Sequence, residues 1–291
     1  MRWEDFRRSD NIEDRRGQRG MRAGGIGIGT VLVLGLVGWA LGIDPRLLIG
    51  GAEMLQRTTQ TQQAPTKTPS GTPSDQIGQF VSAVVGDTED RWRAIFKDSG
   101  RQYEAPRLVM FDGVTASACG TAQSAMGPFY CPLDKRVFLD TGFFTELERR
   151  FRGCSGKACQ FSAAYVIAHE IGHHVQNQLG ILEKVRGMQQ RVDKVEANRL
   201  QVMVELQADC FAGVWANHAQ KQYSFIEPGD VEAAMQTASA IGDDALQRQT
   251  QGRVVPDSFT HGSSEQRMRW FMTGLKSGSA SDCNTFGAEK L

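Results

Sequence analysis

His169, Glu170 and His173, in the run Ala168-His169-Glu170-Ile171-Gly172-His173, are the residues of this chain whose types and spacing most directly suggest chemistry. On a helix each residue turns the chain by about 100°, so side chains four apart return to nearly the same face. His169 and His173 can therefore hold one metal ion between them, and H-E-x-x-H on a helix is a zinc-binding signature. Glu170 falls about a quarter-turn aside, close enough to face a water at the metal without being forced to bind the metal itself. That placement suits a general base.

Two histidines and a water leave a tetrahedral zinc one protein ligand short. In the metzincin spacing a glycine and a third histidine would follow, but Gln176 and Leu179 stand there, which excludes that class. The better candidate is Glu205 in Glu205-Leu206-Gln207-Ala208-Asp209, on a long amphipathic pattern carrying Leu200, Met203, Leu206, Phe211 and Trp215. Glu205 and Asp209 share a face at i and i+4. Glu205 can complete the ligand set while Asp209 accepts the outer ring N–H of a zinc histidine and so fixes its tautomer.

The other histidines are weighed one at a time. His174 points about 100° away from His173 and is expected to be a supporting or structural residue. His218, about half a helical circumference from Asp209, is expected at the surface or an interface. His261 lies in Thr260-His261-Gly262-Ser263-Ser264-Glu265-Gln266-Arg267, just before a helix that Ser263 and Gln266 can cap reciprocally. Held at such a junction, it can donate a hydrogen bond to the oxyanion that forms when hydroxide attacks a carbonyl.

The elements that must hold these residues are partly legible. Ser162 is read as the start of the metal helix and Gly180 as its end, with Ala164, Ile167, Ala168, Ile171, Val175 and Leu179 as a core-facing stripe opposite the histidines. Upstream, helical patterns run over 75–85 and 88–97, the second with Trp92, Ile95 and Phe96. A short strand is expected over 107–111. Residues 118–140, with a turn at 132–135, read as a hairpin or meander. One strand of that sheet, exposed over the metal helix, can take an extended peptide as an added strand; the alternative is a purely structural hairpin.

Before this domain the chain changes character. Residues 1–22 are polar and rich in arginine (Arg2, Arg7, Arg8, Arg15, Arg16, Arg19, Arg22) and read as a solvated tail. Residues 23–43 carry no charge and are long enough to span a bilayer. Flanking arginines would keep the tail in the cytoplasm and send the remainder across. A cleaved signal peptide or a buried glycine-rich helix are the alternatives. Residues 44–74, rich in Gln, Thr, Pro and Ser, read as a flexible linker, leaving 75–291 as the globular domain.

Composition narrows the classes. The formal net charge is zero, with 33 basic and 33 acidic residues, so nothing points to nucleic acid. The six cysteines, Cys119, Cys131, Cys154, Cys159, Cys210 and Cys283, contain no C-x-x-C, which argues against a structural zinc knuckle. In an exported domain they suit disulfides, of which sequence alone allows about fifteen arrangements. Cys119 with Cys131 would fix the meander, Cys154 with Cys159 would close the loop before the metal helix, and Cys210 and Cys283 remain.

With its downstream Glu205, the chain resembles the gluzincin group of zinc metallopeptidases. More closely it resembles the bacterial YpfJ-like family of neutral zinc metallopeptidases, through residues 168–176, 205–210 and 260–267 together with the N-terminal arginines and apolar run. The resemblance implies an α+β, zincin-like metallopeptidase domain, with a small sheet packed on the metal helix and further helices downstream, behind one transmembrane helix. It also implies a bacterial, membrane-tethered peptidase. The Thr-His-Gly segment is similar to the Thr-His-Pro segment of integral-membrane gluzincins, which strengthens the oxyanion role for His261.

The expectation is thus one zinc per chain on His169, His173 and Glu205, with Glu170 as base. The substrate would be a peptide or protein, and the catalytic domain would face the periplasm from the inner membrane. The rivals are a catalytically silent zincin adaptor that binds extended peptides in the cell envelope, and a zinc hydrolase of a non-peptide amide.

Overall fold

Four apolar residues in succession, Leu108-Val109-Met110-Phe111, cannot alternate between core and solvent, and all four are buried in strand β2 (Arg107–Phe111). Burial on both faces is the habit of strands inside parallel sheets. In the computed structural model, which describes residues 1–17, 73–123, 127–150 and 157–291, β2 lies between β1 (Ile12–Asp14) and β6 (Arg136–Asp140) and runs parallel to both. Strand β5 (Phe129–Cys131) completes the order β1-β2-β6-β5, antiparallel to β6 across the turn expected at 132–135. Strands β3 (Val114–Ser117) and β4 (Gly120–Gln123) form a separate hairpin. The expected meander is therefore two hairpins, and the parallel pairing of β2 with β6 has no short-range signal in the sequence.

The two faces of the main sheet have different covers. Val109, Phe111, Cys131 and Phe138 meet Ala122 of β4 on one side, while Leu108, Met110, Val137 and Leu139 join the large helical core on the other. A disulfide from Cys119 to Cys131 ties the small hairpin to β5.

The helices are α1 (Gln76–Asp98), α2 (Gly142–Arg150), α3 (Lys157–Gln178), α4 (Ile181–Gln189), α5 (Lys194–Tyr223), α6 (Asp230–Ala240), α7 (Asp243–Gln251) and α8 (Ser264–Ser277). Asp75 caps α1 by accepting from the Gly78 N–H at 3.0 Å. The two helical patterns read over 75–85 and 88–97 are this one helix. It runs unbroken through Gly86, although glycine inside a helix costs about 1 kcal/mol. Here it marks a close approach: a Cβ on Gly86 would lie 2.1 Å from the Arg7 carbonyl oxygen.

That approach corrects the reading of the N-terminus. Residues Met1–Asp14 are not a solvated tail but belong to the same compact unit as 70–291. Met1, Trp3, Phe6 and Ile12 are buried in the main core, each such burial contributing about 1.5–3 kcal/mol. Trp3 packs edge-on against Phe80, and Phe6 lies against Tyr223 and Phe225. Buried Glu89 of α1 accepts from Arg7, Ser9 and Asn11 at 2.6–2.7 Å. The Met1 amino group pairs with Asp230 at 3.0 Å. Trp3, Phe6 and Ile12 are scattered among charged residues and form no local apolar pattern.

The expected transmembrane helix over 23–43 and nearly all of the linker over 44–74 lie outside the described residues. Among the described residues no helix is long and apolar enough to cross a membrane.

Two chemically identical substitutions test the packing of the N-terminal segment. Gly187 in α4 has open space around it, so Gly187→Ala should stabilise by about 0.5–1 kcal/mol. Gly86→Ala should destabilise by about 1–3 kcal/mol, since the Arg7 backbone must move. Denaturant unfolding of both variants checks this; equal gains would mean that nothing lies across α1 at Gly86.

Candidate metal centre

Helix α3 begins earlier than the sequence suggested, at Lys157, so Ser162 lies within it and does not cap it; its hydroxyl is buried without a hydrogen-bond partner. The helix is covered nearly all round. Ala164, Ile167, Ala168, Ile171 and Val175 face the core, and the histidine side is covered by α5 rather than by solvent. Gly172 sets that spacing, because a Cβ there would stand 3.0 Å from the Ala208 carbonyl oxygen. A larger residue would push away the helix that carries Glu205.

The geometry suits zinc. Two donors each about 2.0–2.2 Å from a tetrahedral zinc stand roughly 3.3–3.6 Å apart. Glu205 Oε2 lies 3.3 Å from His169 Nε2 and 3.6 Å from His173 Nε2. One ligand atom from each of the three residues lies within 4.8 Å of the other two, with His169 and Glu205 buried and His173 partly so. The spacing of two motifs on two helices thus converges on a single point.

Both imidazoles are oriented from behind. His169 Nδ1 donates to Asp209 Oδ1 at 2.8 Å, as the i, i+4 relation of Glu205 and Asp209 suggested. His173 Nδ1 donates to Gln176 Oε1 at 2.9 Å. Each outer nitrogen faces an oxygen acceptor, so it carries the proton and leaves Nε2 free to bind metal. In the sequence Gln176 signals only that the metzincin glycine is missing. Its own amide donates to Val204 O at 2.7 Å and Gln207 Oε1 at 3.0 Å, which fixes which end faces His173.

Asp209 is held in turn. Arg267, in the first turn of α8, forks onto it with Nε to Oδ2 at 2.8 Å and Nη2 to Oδ1 at 2.9 Å, and the Tyr165 hydroxyl donates to Oδ1 at 2.6 Å. Burial alone would push the Asp209 carboxyl up, but Arg267 and His169 outweigh it and bring it down to about 2. Arg267 stands out in the sequence only as part of a motif, since nothing local shows that a basic residue fifty-eight positions downstream will meet buried Asp209.

Glu170 has another environment. It is buried, and burial raises its carboxyl above the ordinary range despite the nearby histidines. A carboxylate moved upward in this way is a better proton acceptor at neutral pH than an exposed one.

His261 is not a ligand. Asp243, at the start of α7, accepts the backbone N–H groups of Thr260, His261 and Gly262 on Oδ2 at 2.6, 2.6 and 3.1 Å, and its Oδ1 lies 3.3 Å from His261 Nδ1. Gly262 packs against Val202 and Leu206, beside the turn of α5 that carries Glu205. The ring is half-exposed, and its hydrogen bond to Asp243 raises its pKa. The capping box from Ser263 and Gln266 is present as expected. Nothing local in the sequence marks Asp243, because its partners lie seventeen to nineteen residues downstream in a loop.

The remaining histidines are structural. His174 is buried between the Tyr130 hydroxyl at 3.0 Å and the Glu104 carbonyl at 2.7 Å, and burial lowers its pKa to about 4. His218 is no bare surface residue: its ring lies 2.8 Å from the Gly278 carbonyl at the end of α8. The Cys210–Cys283 disulfide forms, and Cys159 is also disulfide-bonded, while its expected partner Cys154 lies outside the described residues.

A family model described as "Putative neutral zinc metallopeptidase" matches residues 1–286. The Escherichia coli (strain K12) protein YpfJ, described as uncharacterized, is 45% identical over 296 residues, covering 99% of both chains. An uncharacterized protein of Mycobacterium tuberculosis (strain ATCC 25618 / H37Rv) is 41% identical over 222 residues, covering 73% of both. No solved structure matches the chain.

Loosening either histidine from behind should weaken the metal site without removing a ligand. Asp209→Asn and Gln176→Leu are each expected to lower zinc affinity by about 10–100-fold. Competition against a chromophoric chelator measures it, and wild-type affinity in both would show that neither residue orients its histidine.

Proposed function

The chain belongs to the neutral zinc metallopeptidase family, and from that premise we propose that it is an endopeptidase of the bacterial cell envelope that cleaves peptide bonds with water. The observation that carries the proposal is the position of Glu170. A buried carboxylate next in sequence to His169 adjoins a three-residue metal group, and a module that only binds has no use for such a base.

The donor set of two imidazoles and one carboxylate fits zinc, held by His169, His173 and Glu205. When bound, zinc supplies Lewis acidity, which polarises a carbonyl and acidifies water. Glu170 takes a proton from the attacking water and passes it to the leaving amine. His261, which the Asp243 carboxylate beside its Nδ1 favours in the protonated form, donates from Nε2 to the carbonyl oxygen as negative charge develops there. Asp209 and Gln176 keep both ligand rings from turning during these steps.

An extended substrate can be held at β5, the end strand of the sheet, by main-chain hydrogen bonds. The Tyr130 hydroxyl on β5 bonds His174 and Asn177 of α3, so that edge is fixed relative to the metal helix. Two disulfides and a third bonded cysteine support an oxidising location, outside the cytoplasm. The apolar run over 23–43 is the proposed means of membrane attachment.

Two variants separate binding from chemistry. Glu205→Ala should lose most of its zinc, whereas Glu170→Gln should keep one zinc per chain and lose hydrolysis of denatured envelope proteins by about 10²–10⁴-fold. Wild-type turnover in Glu170→Gln would remove the base. Stoichiometric zinc with no cleavage by the wild type would favour the peptide-binding adaptor.

His261→Ala should lower kcat by about 10²–10³-fold with KM little changed, the pattern of a group that acts only as charge develops. Steady-state kinetics on a cleavable peptide decides this, and an effect confined to KM would make His261 a substrate contact instead.

A further inference from the structure

We infer that residues Met1–Asp14 and the metal centre occupy the same compartment. The sequence taken alone places the two on opposite sides.

The positive-inside argument depends on free arginines. Three of those counted there are engaged by the folded unit. Arg7 holds Glu89 and Asp90 at 2.6 and 2.9 Å. Arg8 reaches Gln79 at 3.3 Å and lies over the Trp3 ring. Arg2 bonds the carbonyls of Tyr223 and Ser224. Arg7 is thus paired with carboxylates of α1, while Arg8 and Arg2 bond neutral acceptors on α1 and at the end of α5.

The backbone is held as firmly. The Leu108 N–H donates to Asn11 O at 2.9 Å, and Ile12, Glu13 and Asp14 stand in register with Leu108, Val109 and Met110. Ser9 N and Ser82 O are 3.0 Å apart, and the Ser82 hydroxyl returns a bond to Ser9 O at 2.9 Å. A bilayer core of about 30 Å cannot lie between partners at such distances.

At the other end of the intervening chain, the Gln79 amide bonds Pro73 O at 2.6 Å, on the helix that receives Arg7, Arg8 and Ser9. Both ends of the segment therefore attach to α1 and its neighbours. Arg2, Arg7 and Arg8 therefore lie on the same side as the metal centre.

Single reporter thiols in the full-length chain test this, because no described cysteine is free to react. Asp10→Cys lies in the N-terminal segment and Lys184→Cys in α4, both at exposed positions that should leave the fold intact. Intact spheroplasts and lysed cells would be treated with a membrane-impermeant maleimide, and the ratio of intact to lysed labelling compared. The two variants should give the same ratio. Labelling of Lys184→Cys in intact spheroplasts with Asp10→Cys silent until lysis would overturn the inference, as would the reverse. If both are silent until lysis, the shared compartment stands and the envelope location proposed above fails.

Discussion

The candidate site depends on compensating one buried carboxylate. Asp209 lies in the core beside α3, where an unpaired charge would be far too costly to keep. Arg267, Tyr165 and His169 together remove that cost, and in doing so they bind three helices at one point. The orientation of His169 is a by-product of this arrangement. A buried charge pair of this kind adds little net stability compared with an apolar replacement, but it allows only one arrangement of its members. For a metal site, that exclusion of alternatives matters more than the stability.

The same economy holds around His173. Gln176 is neutral and uses its amide in both directions, accepting from the ligand ring and donating to α5. The two ligand histidines thus have different outer partners, one anionic and one neutral. The anionic partner makes its imidazole the stronger donor of the two, so His169 and His173 are not equivalent despite their shared motif.

What could be read from sequence was what repeats locally. His169, Glu170 and His173 were legible because a fixed helical turn converts spacing into a face, and Glu205 with Asp209 for the same reason. Ser263 with Gln266 was legible because a capping box is a four-residue pattern. Arg267 and Asp243 were not assigned roles, since each acts on a residue brought near only by tertiary packing. Strand β1 was hidden for another reason: three residues among charged neighbours have no periodicity to detect, and Trp3, Phe6 and Ile12 are too widely spaced to form a stripe. Parallel pairing of β2 with β6 shows only in the unbroken apolar run of β2, which fits a buried helix segment as well.

The register of β1 against β2 also sets an order of events. Residues 12–14, made among the first, have no ladder to join until residues 108–110 have been made. The loop that must close is long, and long-range strand pairing is slow to form. During synthesis the segment that forms β1 is therefore an unpaired edge in search of a partner, exposed to chaperones and to other copies of itself. The metal helices and their ligands can assemble before it docks, which makes the docking of the chain's first residues a late step in maturation of a site they never touch.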